Sequence, residues 1–353
     1  MGVLTDTAAS DSLNEQGGKA MHKTLELLLA GLALALGAPA QAGGGSPGLA
    51  VAPECDRACL TAAMDQYLAA LVKHDASGLP LGRDAKFTEN TARLRVGSEG
   101  LWVSASEAPT TFAIYAIDVS GGEAGFMGMM KAWGRPLLLS VRLKLVNGRI
   151  TEIEHVTTAD LRPGGLANLV TPRPEFAEDV PAAQRVGRQQ MINIADSYFE
   201  AAEQADGDLA PFAAHCVRHE NGARTTSNSP PVPWPVPLGS KEADEAMAYI
   251  GSLDCDAQLD THVMDFIARL WPRRLEVVDE QKGLVFAFPM FQHPGMAEPV
   301  KLVGVPGVDS LPLGRSASNM QAGEIFKIVA GKIVSVEAMG AFLPYGTKSG
   351  WGE

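Results

Sequence analysis

The sequence is short of the features that mark several functional classes. It has no run of Lys or Arg, and its 29 basic side chains are outnumbered by 41 acidic ones, for a net charge of -12. A nucleic-acid surface needs clustered cations to neutralise phosphate, so this balance argues against one. No G-x-S-x-G elbow occurs. The glycine run Gly121-Gly122-x-x-Gly125-x-x-Gly128 sits in a strand-rich stretch without the helix that a phosphate cradle requires. Cysteine is scarce, at four residues, and Cys55-x-x-x-Cys59 lacks a second C-x-x-C or a His pair to complete a zinc site. His215 and His219 share a strand face but have no evident third ligand. No cofactor and no metal are implied. What is abundant, 46% apolar residues with only 20% charged, excludes disorder and suits about two globular domains over 353 residues.

The N-terminal region reads as an export signal. Met21-His22-Lys23 opens a short basic stretch, Leu27 to Ala38 is unbroken apolar sequence, and Pro39-Ala40-Gln41-Ala42 gives an A-x-A cleavage pattern. The polar residues before Met21 look like a leader, which makes Met21 the expected start. The apolar stretch is shorter than the roughly 20 residues a membrane span needs. An uncleaved signal would still tether the chain to a membrane, so the expected location is periplasmic or secreted, with membrane association through that segment as the variant. Export permits disulfides. Four cysteines allow more than one pairing, and Cys55–Cys59 with Cys216–Cys255 is the economical one.

Comparison of the halves reveals a repeat. Asp65-x-Tyr67 and Asp196-x-Tyr198, Asp75 and Asp206, and Glu89-Asn90-x-Ala92-Arg93 and Glu220-Asn221-x-Ala223-Arg224 all stand at an offset of 131. Such self-similarity at one spacing points to two copies of one domain. Further on, Tyr115–Asp118 is matched with Phe286–Pro289, and Asn147-Gly148-Arg149-Ile150 with Ala330-Gly331-Lys332-Ile333. Each copy opens on an amphipathic helix (Leu60–His74; Gln189–Gln204) with apolar residues three and four apart. A short strand follows (Ala85–Asn90; Cys216–Asn221). Long alternating strands come next, joined by Asn147-Gly148 in one copy (Leu138–Val146, Ile150–Val156) and Ala330-Gly331 in the other (Glu324–Val329, Ile333–Ala338).

The expected class is α+β, with two tandem domains, each a long helix on a curved antiparallel sheet. Leader and signal occupy residues 1–42 and a flexible spacer 43–54. The first domain covers 55–161, a linker 162–188 and the second domain 189–345, with a tail at 346–353. The second copy carries an insertion at 225–272, made of the proline-rich Pro230–Pro237 and a helical stretch Glu242–Leu270. We read the proline-rich segment as a stiff loop covering the second cavity rather than as a ligand for a partner.

Tyr67-Leu-Ala-Ala-Leu-Val-Lys-His-Asp75, followed about fifteen residues later by a strand ending in an acid, resembles the nuclear-transport-factor-2-like cone superfamily. That superfamily includes SnoaL-like cyclases and ketosteroid isomerase. Cys-x-x-x-Cys-Leu, Phe87-Thr-Glu-Asn90 and His219-Glu-Asn-Gly222 look more specifically like a fungal and bacterial family built of such domains. The resemblance spans most of residues 55–340 and implies cone-shaped domains, each with one apolar pocket. It places Glu89 and Glu220 where the general base stands, and Tyr67 and Tyr198 where a helix phenol stabilises a developing oxyanion. His219, beside Glu220, is a further catalytic candidate. Asn90 and Asn221 could orient substrate or cap their turns. Arg93 and Arg224 could bind substrate or pair with the neighbouring Glu, which would make each Glu structural. Trp102, Tyr115 and Phe288 are candidates for aromatic lining, with core packing as the default.

The expectation is an exported, cofactor-independent lyase, dehydratase or isomerase acting on a hydrophobic aromatic small molecule. By fold analogy the most concrete form is formaldehyde-releasing cleavage of lignin-derived dimers. The rival is a non-catalytic binding or assembly protein. Tandem cones could pair sheet to sheet within one chain, so either a monomer or a homodimer fits.

Overall fold

A computed structural model describes residues 55–161, 164–232 and 238–352. The export segment and Pro233–Pro237 lie outside them. The first half comprises α1 (Arg57–Lys73), β1 (Leu81–Glu89), β2 (Ala92–Arg93), α2 (Leu101–Ser104), β3 (Ala105–Glu107), β4 (Ala113–Asp118), β5 (Glu123–Ala132), β6 (Arg135–Val146) and β7 (Arg149–Thr158). The second comprises α3 (Arg188–Gln204), β8 (Phe212–Glu220), β9 (Ala223–Arg224), α4 (Lys241–Ile250), α5 (Cys255–Leu259), β10 (Arg269–Leu270), β11 (Leu275–Asp279), β12 (Leu284–Ala287), β13 (Met290–His293), β14 (Val300–Lys301), β15 (Ser310–Leu311), β16 (Ser318–Val329) and β17 (Lys332–Pro344).

Helix α1 begins where the Asp56 side chain accepts a hydrogen bond from Cys59 N, and it ends at His74 in the left-handed region. Its inward stripe of Leu60, Met64, Tyr67, Leu68 and Leu71 is buried against the first sheet. Each fully buried aliphatic side chain on that stripe contributes about 1.5–3 kcal/mol. Helix α3 presents Met191, Ile194, Ala195, Tyr198 and Phe199 to the second sheet in the same way. The hairpin turns Asn147-Gly148 and Ala330-Gly331 both hold two successive residues at positive φ, the conformation that matches the twist of the paired strands.

The fold is α+β, with few helices and two curled sheets. The first sheet runs β2-β1-β7-β6-β5-β3 with β4 on β5. The second runs β10-β13-β16-β17-β8-β9, with β12 on β16 and β11 on β12. Both are mixed, which corrects the expectation of antiparallel sheets: β1 runs parallel to β7, and β8 parallel to β17. The cause is the chain path, which enters each sheet beside its own last strand.

Other expectations are also corrected. The partner of Ile117-Asp118 on β4 is Val278-Asp279 on β11, not Phe286–Pro289, because β4 and β11 are the strands that pair only with β5 and β12 respectively. The stretch Glu242–Leu270 is not one helix. It breaks after Ile250 and again after Leu259, then runs through turns into β10. Residues 164–188 are a packed strap rather than a free linker, since Leu169, Phe176 and Val180 are buried. The tail packs back too, with Trp351 Nε1 donating to Thr88 Oγ1 at 2.9 Å.

All described residues belong to one compact unit. Between the sheets lies a shared core of Ile114, Met127, Val156, Phe286, Ile325 and Met339 among others. Two glycines permit the close approach: a Cβ on Gly125 would sit 2.6 Å from Phe286 Cδ1, and one on Gly323 would sit 2.5 Å from Ser140 Oγ. The contact is reciprocal. Asp118 accepts from Val278 N and Arg188, while Asp279 accepts from Ile117 N and Arg57, so each half's leading helix sends its first arginine to the other half. Deeper in this layer, buried Glu154 accepts from Arg142, from both Nη1 and Nη2 of Arg274, and from Gln321. A buried carboxylate needs such multiple partners to offset its desolvation.

Candidate functional sites in the two sheet interiors

Each half surrounds a tyrosine and a glutamate with its helix and sheet, and the two surroundings differ. In the first half Tyr67 Oη lies 2.8 Å from His155 Nε2, and His155 Nδ1 lies 3.1 Å from Glu89 Oε2. Parallel pairing sets Glu89 directly beside His155. Both Glu89 oxygens accept from Leu101 N, at 2.9 and 3.1 Å. Tyr67 and His155 are 0% exposed, and Trp102 packs edge-on against Tyr67 at 5.4 Å with its Nε1 lacking a partner among the described residues. Burial pushes the Tyr67 phenol well above its ordinary value; Trp102 opposes this and the charge of Glu89 adds to it. The chain Tyr67–His155–Glu89 is held in a densely packed core.

In the second half, alternation along β8 turns Arg218 and Glu220 inward. Arg218, 2% exposed, bonds Glu220 Oε1 at 2.8 Å, Thr225 Oγ1 at 3.1 Å, Tyr198 Oη at 3.4 Å and the Gln258 side-chain oxygen. Glu324, on β16 opposite Ala338, is buried and its Oε2 has no partner among the described residues. Burial raises its carboxyl to about 8; Glu220 adds to the rise and Arg218 opposes it. It is therefore a neutral acid at pH 7. Burial likewise raises the Tyr198 phenol, with Arg218 opposing.

Arg218 also forms a wall of a narrow cavity of about 110 Å³. Thr225 and Gln258 supply its other polar groups, while Met247, Ile250, Val263, Phe266 and Leu313 make the rest apolar. Glu324 does not line this cavity, and Arg218 is the side chain that links the two. The inserted helices roof it. Cys255, at the start of α5, is bonded to Cys216 on β8, which fixes Gln258 against Arg218; Gln258 Nε2 in turn donates to Thr225 O and Ile250 O.

The remaining sequence candidates fall elsewhere. His219 points to the face of β8 opposite Glu220, paired in register with Glu337, and its Nδ1 has no partner among the described residues. His215 is exposed. Asn90 and Asn221 perform one task twice: Asn90 exchanges hydrogen bonds with Thr157 N and O, and Asn221 with Gly340 N and O, both at positive φ. They fasten the turn after the first strand to its parallel neighbour.

No ion pair joins Arg93 to Glu89 or Arg224 to Glu220 among the described residues. Arg224 donates instead to the carbonyls of Thr226 and Ser227, and Arg218 takes the partner role expected of it. Tyr115 donates to Asp65 at 2.8 Å and borders a shallow hollow of about 260 Å³ on the outside of α1. Phe288 stacks on Phe286 at 4.7 Å in the layer between the sheets. Cys55 and Cys59 are bonded, as Cys216 and Cys255 are, which fits an oxidising environment. No described helix is long and apolar enough to cross a membrane, and no described cluster of His, Cys, Asp and Glu could hold a metal ion.

Sequence reasoning passed over Arg218, Glu324 and His155 as site residues. A signal for the first was present: Cys216, Arg218 and Glu220 alternate on one face of a strand, where two charges interrupt an apolar series. Glu324 interrupts Ala322-x-x-x-Phe326 in the same manner. His155 becomes visible only once β7 is placed beside β1.

The architecture is that of an α+β protein with two curled sheets and polar clusters inside them. The chain belongs to the family described as a domain of unknown function, DUF8021, whose model matches residues 54–157 and 184–340, one segment in each half. No curated protein matches it.

Proposed function

We propose that the chain is an exported, cofactor-independent acid–base enzyme, a lyase, dehydratase or isomerase, whose working site is the interior of the second half. In this reading the halves are two cone domains of the nuclear-transport-factor-2-like type, and the substrate is a hydrophobic aromatic small molecule carrying an oxygen. The observation that carries the reading is the cavity that ends at Arg218, with one carboxylate paired to that guanidinium and a second, neutral carboxyl behind it. An apolar enclosure with a few convergent polar groups is the usual form of a small-molecule site. Arg218 receives negative charge developing on the substrate oxygen. Glu220, one-third exposed at the strand end and bonded to the Arg218 that walls the cavity, takes up the proton, and Glu324, which does not border the cavity, acts on that pair through its charge state. A volume of about 110 Å³ suits one ring.

Incubation of the purified protein with oxygenated aromatic compounds, read by mass spectrometry, tests this. Glu220→Gln should lower turnover by about 100-fold or more while ligand binding persists. Turnover that is equal in wild type, Glu220→Gln and Glu324→Gln removes the reading.

One observation favours the rival, a non-catalytic binding protein. Arg218 is already held by four protein groups, which is the way a purely structural cation would be held. Ligand binding without turnover across the panel selects that reading.

A further inference from the structure

A second, larger opening shares Phe266 with the Arg218 cavity. It is a groove of about 450 Å³ bordered by Phe266, His293, Arg315, Ser316, Ser318 and Phe342. Phe266 is a wall of both spaces, and the chain passes from Leu313 on the inner cavity to Gly314 on the groove in a single step. Gly314, at φ +61°, packs closely on this shared phenylalanine: a Cβ there would stand 2.3 Å from Phe266 Cβ.

Three aromatic rings border the groove in a tilted cluster. Phe266 and His293 lie 5.4 Å apart, His293 and Phe342 6.1 Å apart, all tilted, and Phe342 is 53% exposed although it stands on a strand. Burial pushes His293 down to about 4, so its ring is neutral at pH 7, and its Nδ1 lies 3.3 Å from Ser318 Oγ. The guanidinium of Arg315 donates to the Met296 and Ala297 carbonyls, which occupies part of its charge. Three rings on a groove also bordered by Ser316 and Ser318 fit a flat aromatic group bearing a hydroxyl or ether oxygen.

We propose that this groove is the outer half of a bipartite site whose inner half is the Arg218 cavity, and that its ligand is a two-ring aromatic molecule straddling Phe266. The inference deepens the reading of the second-half interior given above and rests on it for the inner ring. It assigns substrate size to the groove: one ring inside, one outside, with Phe266 moving aside for the link between them. Phe342 would then supply affinity for the outer ring alone.

The test uses the full chain with phenol and 4-(benzyloxy)phenol as probes. Affinities are taken by calorimetry, and occupancy of the groove is read from the His293 imidazole resonance, assigned with a His293→Gln variant. 4-(Benzyloxy)phenol should bind at least about 10-fold more tightly than phenol and shift His293. Phe342→Ala, an exposed position whose replacement leaves the core intact, should remove that advantage without changing phenol affinity. Equal affinity for the two compounds, an unshifted His293, or an advantage that survives Phe342→Ala overturns the groove assignment. A two-ring compound that shifts His293 and depends on Phe342, yet is never turned over, supports the groove and counts against the enzyme. Turnover that depends on Glu220 with no His293 shift does the reverse.

Discussion

The two halves share a frame and fill it with different chemistry. At matching positions the first has Phe87, Val141 and His155 where the second has Arg218, Glu324 and Ala338, around the same tyrosine and glutamate. Phe87 and Val141 close the first interior around the hydrogen-bonded chain Tyr67–His155–Glu89. In the second, a fixed cation stands between a buried acid and a cavity. The insertion of α4 and α5 roofs the Arg218 cavity, and a disulfide pins it there. Both halves line the shared layer between the sheets and both bury a polar cluster, a Tyr–His–Glu chain in the first and an Arg-centred one in the second. The tyrosine–glutamate pair alone therefore does not define a site; what faces the pair decides.

Arg218→Met should be the most damaging single change, because it leaves Glu220 and Tyr198 without their cation. A loss of about 3–5 kcal/mol in urea unfolding is expected, against less than about 1.5 kcal/mol for Phe87→Leu at the matching place. The triple change Arg218→Phe, Glu324→Val, Ala338→His should recover part of that loss by recreating the first interior. A triple variant no more stable than Arg218→Met would show that the two frames are not interchangeable.

Removal of the Cys216–Cys255 bridge, which spans 39 residues, should cost about 2–4 kcal/mol and release the roof over the cavity. The four-residue Cys55–Cys59 loop should matter less to the unfolded chain, so Cys55→Ser with Cys59→Ser is expected to cost about 2 kcal/mol. Hydrogen exchange at Gln258 and its neighbours should rise only in the first case.

The pH profile separates the halves further. A carboxyl with a raised folded value binds its proton more tightly when folded, so Glu324 should make stability fall as pH rises from its ordinary value of 4.5 to about 8, with no further loss above. Glu337, raised by burial to about 7, contributes a similar but narrower slope. Thermal unfolding of Glu324→Gln should flatten the profile between pH 7 and 8, where the first half has only Val141. An unchanged slope would mean that Glu324 titrates as an exposed acid.

The smallest contrast concerns the phenols. Tyr67→Phe removes a 2.8 Å bond to His155 and should cost about 1–2 kcal/mol, whereas Tyr198→Phe removes a 3.4 Å contact and should cost less than about 1 kcal/mol. Equal costs would indicate that the Arg218 contact tightens in solution.

Much of the fold was legible because its signals are local. The stripe Leu60, Met64, Leu68, Leu71 marks a helix, and Asn147-Gly148 marks a hairpin. Asp65-x-Tyr67 with Asp196-x-Tyr198 marks the duplication. In the insertion, the helical stretch expected over Glu242–Leu270 divides into α4, α5 and turns, because Ala243 to Ile250 sets a helical period that the later turns do not continue. Of the interior clusters, the repeat exposed Tyr67, Glu89, Tyr198 and Glu220. It concealed Arg218 and Glu324, because a residue that differs between copies drops out of any match between them.

The amino-acid order by itself was enough to place the two leading helices, the hairpin turns at Asn147-Gly148 and Ala330-Gly331, and the matched residues of the two halves, since each depends on spacing along the chain. Folding in three dimensions decided that β1 lies parallel to β7, that Asp118 and Asp279 answer one another across 161 residues, and that Arg218 meets Gln258 beside a cavity. Those outcomes depend on strand register and on the packing of distant surfaces, and a shift of one residue in register would turn every inward charge outward.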